Sequence, residues 1–251
     1  MFVLEKQDLF KVMHWSRVTS NVFGLLPRET TTNPSTFLFS LSVSSSCTTS
    51  PSLPCSISRV RSTGGTPHFE LTKGFVISPP NLVTQSLLNC LETLPTPHPN
   101  IITISSAGLT RIGHDKLPLI LKPLYGYLLA VPHADKCGAE EVLAYCAGWE
   151  WETEDSPGAE VLGGDWKASR DLPAPGSLKS VVVVRPALLT DGACRADTWV
   201  PSSTSGGPYK VKEGDLAGRW TVSRKDVAHF VVEEVVRGWD EWEGKRVSIA
   251  Y

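Results

Sequence analysis

Four consecutive valines, Val181–Val184, place the strongest constraint on how this 251-residue chain can fold. An uninterrupted run of β-branched residues is typical of a strand buried on both faces, as in a parallel sheet covered by helices. Arg185 and Pro186 follow, and the proline predicts the end of the strand. The run therefore favours an α/β fold with a buried parallel sheet.

A second run, Ile101–Ile104, predicts another buried strand, because it is short, apolar and bounded by turn-forming residues. Residues 80–94 carry leucines at nearly helical spacing and end at Pro95. A helix joined by a short link to a strand is typical of a parallel sheet. In such sheets ligands bind outside the carboxyl ends of the strands. Ser105 and Ser106 therefore either lie at a ligand crevice or form an ordinary turn after a buried strand.

The rest of the chain divides into two parts. Residues 1–55 are expected to be a disordered or non-native segment, since their second half is rich in Ser, Thr and Pro and buries little apolar area. Within it, Phe37–Val43 is the one run that suits a strand. Residues 56–251 are expected to form a partial, Rossmann-like α/β domain.

Within that domain the sequence pattern predicts further elements. Helices are expected near 117–130, from Ala134 to a C-cap at Gly148, and from an N-cap at Ser223 to about Arg237, and strands over 56–61 and 245–250. Residues 150–179 are acidic and rich in Gly and Pro, which predicts a long surface excursion.

Composition excludes several classes of function. The formal net charge of −2 predicts no surface for nucleic acid, and no run approaches the roughly 18 apolar residues of a membrane span. The six cysteines form no C-x-x-C pair, so reduced thiols of an intracellular, cytoplasmic protein are expected. His133, Asp135 and Cys137 alternate, but at a helix start they would point in different directions, so no metal site is expected.

Four segments of the chain are informative because of their order and spacing. They are Ile102–Gly108, Asp135-Lys136 with Glu140 and Glu141, Val182–Gly192, and Ser223–Ala228. Together they resemble the C-terminal half of an atypical short-chain dehydrogenase/reductase, of the NAD(P)H-binding branch with the NmrA-like and isoflavone-reductase-like proteins. The resemblance covers about residues 56–251 and implies a Rossmann-type fold with NAD(P)H across the carboxyl edge of the sheet.

The resemblance also implies roles for single residues. The cofactor-binding residues that it implies are Ser62, Thr63, Gly64, Gly65, Ser105, Lys136, Arg185, Pro186 and Leu188. The catalytic residues would be Ser106, which would polarise a substrate oxygen, and Lys136, which would hold the ribose. From the residues alone two other interpretations stay open. Lys136 suits a solvated helix residue paired with Glu140, and residues 62–65 suit a plain loop.

The sequence departs from the family pattern in two places. Gly24 is the only glycine before Gly64, so residues 1–55 lack the glycine-rich turn that cradles a pyrophosphate. A truncated or misassembled N-terminal segment is expected, with weak or lost cofactor binding. Four residues before Lys136, where the family has its tyrosine, stands Pro132. The proton donor would then be Ser106, His133 or a bound water.

Three functions remain open at this level. The first is an NAD(P)H-dependent oxidoreductase acting on an unknown, small carbonyl-type substrate. The second is a non-catalytic, NmrA-like regulator that senses a dinucleotide or binds a protein. The third is a chain that binds no dinucleotide, because the glycine-rich unit is missing.

Overall fold

A computed structural model describes residues 67–200, 206–218 and 220–251, with only the backbone at Leu124, and the backbone of three short strands before them. The strands are β1 (Phe2–Leu4), β2 (Phe39–Leu41), β3 (Val60–Ser62), β4 (Pro67–Glu70), β5 (Gly74–Ile77), β6 (Ile101–Ile104), β7 (Val181–Pro186), β8 (Leu188–Thr190), β9 (Lys210–Glu213), β10 (Thr221–Ser223) and β11 (Arg246–Ala250). The α-helices are α1 (Leu82–Glu92), α2 (Arg111–Asp115), α3 (Ala130–Ala147), α4 (Ala159–Leu162), α5 (Arg224–His229) and α6 (Trp239–Trp242).

The main sheet has seven strands in the order β2-β3-β1-β6-β7-β11-β9. Its centre is parallel, since β7 pairs in parallel with both β6 and β11. On either side, β1 and β9 run antiparallel to their inner neighbours. Two small sheets accompany it, the antiparallel hairpin of β4 and β5 and the parallel pair of β8 and β10.

Strand β7 is the core of the molecule, because all six of its residues are buried. Val181 and Val183 pack into one apolar cluster with α1 and α3, while Val182 and Val184 pack on the opposite face against the segment that begins at Phe230. Each fully buried aliphatic side chain contributes about 1.5–3 kcal/mol. The predicted α/β fold with parallel strands and helices on both faces is therefore confirmed.

Helix α3 starts earlier than predicted, at Ala130 rather than Ala134. Its predicted C-cap is confirmed, since Gly148 has the left-handed φ of 75° that ends a helix well. The helix expected over 117–130 is not continuous. A 3-10 turn at Leu119–Leu121 and a π-helical turn at Leu124–Leu128 replace it, because prolines in this stretch break the α-helical hydrogen-bond pattern.

The predicted surface excursion over 150–179 is wrong for part of its length. Leu162, Trp166 and Leu178 from this stretch are buried in the cluster under α1 and α3. The segment has no period because it is mostly turns, and its buried side chains are therefore spaced irregularly along the sequence.

Strand β2 lies within the predicted range 37–43, and β3 overlaps the predicted range 56–61 at Val60 and Arg61. The other residues of both ranges lie outside the described residues. The boundary at residue 55 stays a prediction, since residues 5–38 and 42–59 lie outside the described residues.

Candidate functional site

The ends of β6 and β7 lie side by side, as the sequence predicts for parallel strands. The Ser105 amide donates to the Val184 carbonyl at 2.8 Å, and the Ala107 amide donates to the Pro186 carbonyl at 2.9 Å. The serines after β6 and the Arg-Pro pair of β7 therefore share one edge of the sheet.

Glu140 of α3 holds this edge together. Its buried carboxylate accepts hydrogen bonds from the Ser105 hydroxyl and from the Arg185 guanidinium, whose Nε lies 3.1 and 3.0 Å from the two carboxylate oxygens. Arg185 Nη1 also lies 3.5 Å from Asp215. Burial opposes the charge on Arg185, but Glu140 and Asp215 raise the pKa of its guanidinium. A buried charge requires such partners, so this is a permanent ion pair.

Two predicted cofactor residues, Ser105 and Arg185, are thus turned toward Glu140. The sequence did not reveal Glu140 in this role. It showed only a glutamate four residues after Lys136, which suited a surface pair. The guanidinium of Arg185, which lies in β7, pairs with that carboxylate instead, and only the fold brings the two residues together.

Ser106 and Lys136 lie near this edge, but their side chains, unlike those of Ser105 and Arg185, are not held by Glu140 in the described structure. Both side chains are half-buried, and among the described residues the Ser106 hydroxyl has a single contact, of 3.4 Å, with the Ala107 carbonyl. Within the described part of the chain, the Lys136 ammonium has no hydrogen-bond or ion-pair partner. Burial lowers its pKa, although Glu140 and Asp135 act in the opposite direction. Of the predicted site residues that the structure describes, Ser106 and Lys136 are thus the ones whose polar groups are not held by Glu140.

The remaining predicted residues are more dispersed. Pro186 is buried at the end of β7, and Leu188 is exposed in β8, where it pairs with Thr221. Ser62 lies in β3, which β1 separates from β6. Thr63, Gly64 and Gly65 lie outside the described residues.

The N-terminus of α1 is closed by a carboxylate of the protein itself. Asp135 accepts hydrogen bonds from the amides of Val83 and Thr84, each at 2.8 Å. Free amides at a helix start are what would bind a phosphate. Because Asp135 occupies these amides, the start of α1 offers no phosphate site.

A cavity of about 420 Å³ opens just beyond the end of β6. Its lining residues come from the loop after β6, from α2, from the π-helical turn and from the start of α3: Gly108, Leu109, Thr110, Arg111, His114, Asp115, Tyr125, Gly126, Ala130 and His133. We call it the His133 cavity. The sequence analysis named His133 as a possible proton donor. The structure stacks Tyr125 edge-on against His133, with 4.9 Å between ring centroids.

A second cavity, of about 480 Å³, lies over β7 and β11 between Trp149, Trp151, Arg185 and Arg246. Five carboxylate residues also line it, namely Glu150, Glu152, Asp155, Glu213 and Asp215. Nothing in the sequence pattern pointed to this cavity, because its walls come from five separate segments.

Two further features are absent from the described ranges. No group of three or more His, Cys, Asp or Glu side chains there could hold a metal ion. No helix of that part of the chain is long and apolar enough to cross a membrane.

Comparison with known proteins yields one curated relative. The chain is 32% identical to Reductase pytE from Aspergillus terreus over 167 residues, which are 64% of this chain and 51% of that protein. The chain is similar in sequence to a fungal reductase. It spans about half the length of this relative. No family model matches the chain.

Two solved structures share a weak likeness to this chain, each with a TM-score of 0.36 and 14% identity. One is a short-chain dehydrogenases/reductase (wide type) from Veillonella parvula DSM 2008 in complex with NADP, matched over 60% of this chain and 49% of that one. The other is an ethylated short-chain dehydrogenases/reductase from the same organism, matched over 59% and 49%.

Proposed function

We propose that this chain is an NAD(P)H-binding oxidoreductase of the short-chain dehydrogenase/reductase type that reduces a carbonyl group of a small molecule. The observation that carries the proposal is the shared edge of β6 and β7. There Ser106 follows β6, while α3, held through Glu140, carries Lys136 and His133. Parallel sheets bind ligands at the carboxyl ends of their strands. The similarity to Reductase pytE supports the same class of reaction.

The described residues fit the nicotinamide-ribose end of a dinucleotide. The Lys136 ammonium lacks a partner within the described ranges, so it can donate hydrogen bonds to ribose hydroxyls, and the Ser106 hydroxyl can donate to a carbonyl oxygen. When bound, the reduced nicotinamide would supply a hydride to the carbonyl carbon, and the resulting alkoxide would take up a proton from solvent water. For the pyrophosphate the described residues offer no cradle, because Asp135 caps α1 and Glu140 holds Arg185.

A titration of the protein with NADPH and NADH, followed by tryptophan fluorescence, tests this proposal. We expect saturable binding below millimolar cofactor. Lys136→Ala should weaken it about tenfold, which corresponds to about 1.4 kcal/mol. Lys225→Ala serves as the matched control, since Lys225 is exposed in α5. The absence of a saturable change at millimolar cofactor contradicts the proposal.

A second candidate is a non-catalytic, NmrA-like regulator that senses the dinucleotide. Pro132, in the first turn of α3, favours it, since proline cannot serve as an acid or base where the family has its tyrosine. Saturable NADPH binding without oxidation of NADPH over a panel of aldehydes and ketones would support the regulator and contradict the reductase.

A further inference from the structure

The wall of the His133 cavity carries little usable charge. Arg111 is neutralised, because its guanidinium lies 3.4 Å from Glu154 and 3.4 Å from Asp155. Asp115, exposed at the rim, is likewise paired, since its carboxylate lies 3.5 Å from the Lys122 ammonium. A ligand anion in this cavity would find the Arg111 guanidinium already paired with two carboxylates.

His133 contributes a neutral imidazole rather than a cation. Its half-buried ring packs against the buried Tyr125, and in the described ranges its nitrogens have no hydrogen-bond partner. Burial lowers the pKa of His133 to about 4, and Lys136, one turn along α3, and His114, across the cavity, act in the same direction. A neutral imidazole presents one donor and one acceptor.

The free-energy cost of removing a ligand group from water then determines which groups bind in the His133 cavity. Moving a carboxylate or phosphate out of water without a counter-charge costs several kcal/mol. An uncharged carbonyl loses far less, and it can accept the imidazole N–H as a hydrogen bond. The volume of about 420 Å³ lies within the range of small-molecule sites.

We propose that the His133 cavity binds the reacting end of the substrate and selects an uncharged aldehyde or ketone over ligands that carry a carboxylate or phosphate. His133 hydrogen-bonds the uncharged oxygen, and the edge-on ring of Tyr125 holds the imidazole in place. This inference rests on the proposed function, because it names the substrate class of the same site.

A matched pair of probes tests the selection. Benzaldehyde and 4-carboxybenzaldehyde differ in one carboxylate, and their kcat/KM values with NADPH are compared at pH 7. We expect benzaldehyde to be preferred at least tenfold. His133→Arg places a permanent cation in the wall and should reduce the preference at least tenfold, whereas His133→Gln, which stays neutral, should retain it. His68→Arg, in the exposed hairpin strand β4, is the matched control.

The pH dependence of the preference for benzaldehyde provides a second test, which needs no variant. Since the pKa of His133 is lowered to about 4, the imidazole should stay neutral from pH 8 to pH 5.5, and the preference should not change. Tyr125, His114, Lys136, Arg111 and Asp115 are the titratable groups that face it. Stronger binding of 4-carboxybenzaldehyde as the pH falls to 5.5 would reveal an imidazolium and would overturn the proposal.

A binding measurement separates this inference from the proposed function. The ¹⁵N resonances of the His133 ring are followed by NMR during titration with benzaldehyde and with benzoate. A shift with benzaldehyde alone supports the selection, even where neither aldehyde is reduced and the reductase proposal fails. Shifts of equal size with both probes, or with neither, overturn it.

Discussion

The buried pair of Glu140 and Arg185 is the single interaction on which the candidate site depends most. Removing one partner of such a pair leaves an uncompensated charge in the interior. We expect Glu140→Met to lower the free energy of unfolding by about 3 kcal/mol, measured by urea titration with tryptophan fluorescence. Glu160→Met is the control, since Glu160 is exposed.

The double variant Glu140→Met, Arg185→Met tests whether the loss comes from the stranded charge. Replacing both partners by apolar groups of similar size is often close to neutral, so the double variant should be more stable than Glu140→Met alone. If the two are equally unstable, packing rather than the unpaired guanidinium explains the loss.

For single residues, the sequence predicts interactions between residues that are close together in the chain. Ser223 caps α5 as expected, because its hydroxyl accepts the Asp226 amide three residues later at 2.9 Å. The partner of Glu140 could not be predicted, because Arg185 lies 45 residues away and competes with Lys136 for the same carboxylate. Which of several possible partners a side chain pairs with is therefore determined by the tertiary structure.

At the scale of elements, the approach of α3 to α1 depends on Gly138. A Cβ at this position would lie 2.8 Å from Thr84 Oγ1 and 2.8 Å from Val161 Cγ1. Alanine favours a helix over glycine by about 1 kcal/mol, but the overlap forces a packed interface apart. We expect Gly138→Ala to lower the free energy of unfolding by about 1–3 kcal/mol.

Thermal unfolding followed by circular dichroism checks this expectation. Gly164→Ala is the control, since a Cβ at Gly164 meets nothing within 4 Å. A Gly138→Ala protein as stable as the parent would show that α1 and α3 can separate slightly without loss.

The elements that the sequence predicted correctly carry a regular pattern. Strands β6 and β7 are continuous apolar runs, and α1 has leucines at helical spacing. The hairpin of β4 and β5 was missed, because each strand has only four residues and β4 is largely exposed. The helix predicted from Ser223 to about Arg237 is present as α5 and a π-helical segment, Phe230–Val236, that continues it. Neither this π-helical segment nor the one at Leu124–Leu128 was predicted as such, since amino-acid composition does not indicate the π-helical hydrogen-bond register.

At the scale of the whole molecule, β7 is shared by both apolar layers. Its alternate side chains belong to the cluster under α1 and α3 and to the cluster on the opposite face. Opening either layer exposes one face of the same strand. We therefore expect residues 67–251 to unfold as one cooperative unit.

Two buried thiols report on the two layers separately. Cys146 lies in the cluster under α3, and Cys194 donates to Asp226 of α5 on the other side. Burial raises the pKa of Cys146 to about 12 and that of Cys194 to about 11. Because the thiolate is the reactive form, neither should react at pH 8 until its layer opens.

Labelling with a maleimide in increasing urea, with each cysteine followed by mass spectrometry, measures both openings. We expect Cys146 and Cys194 to become reactive at the same urea midpoint as the loss of circular dichroism. The single variants Cys146→Ala and Cys194→Ala show that labelling of one thiol does not itself open the other layer. Two separated midpoints would mean that the layers unfold independently, and that β7 can keep one face packed while the other is exposed.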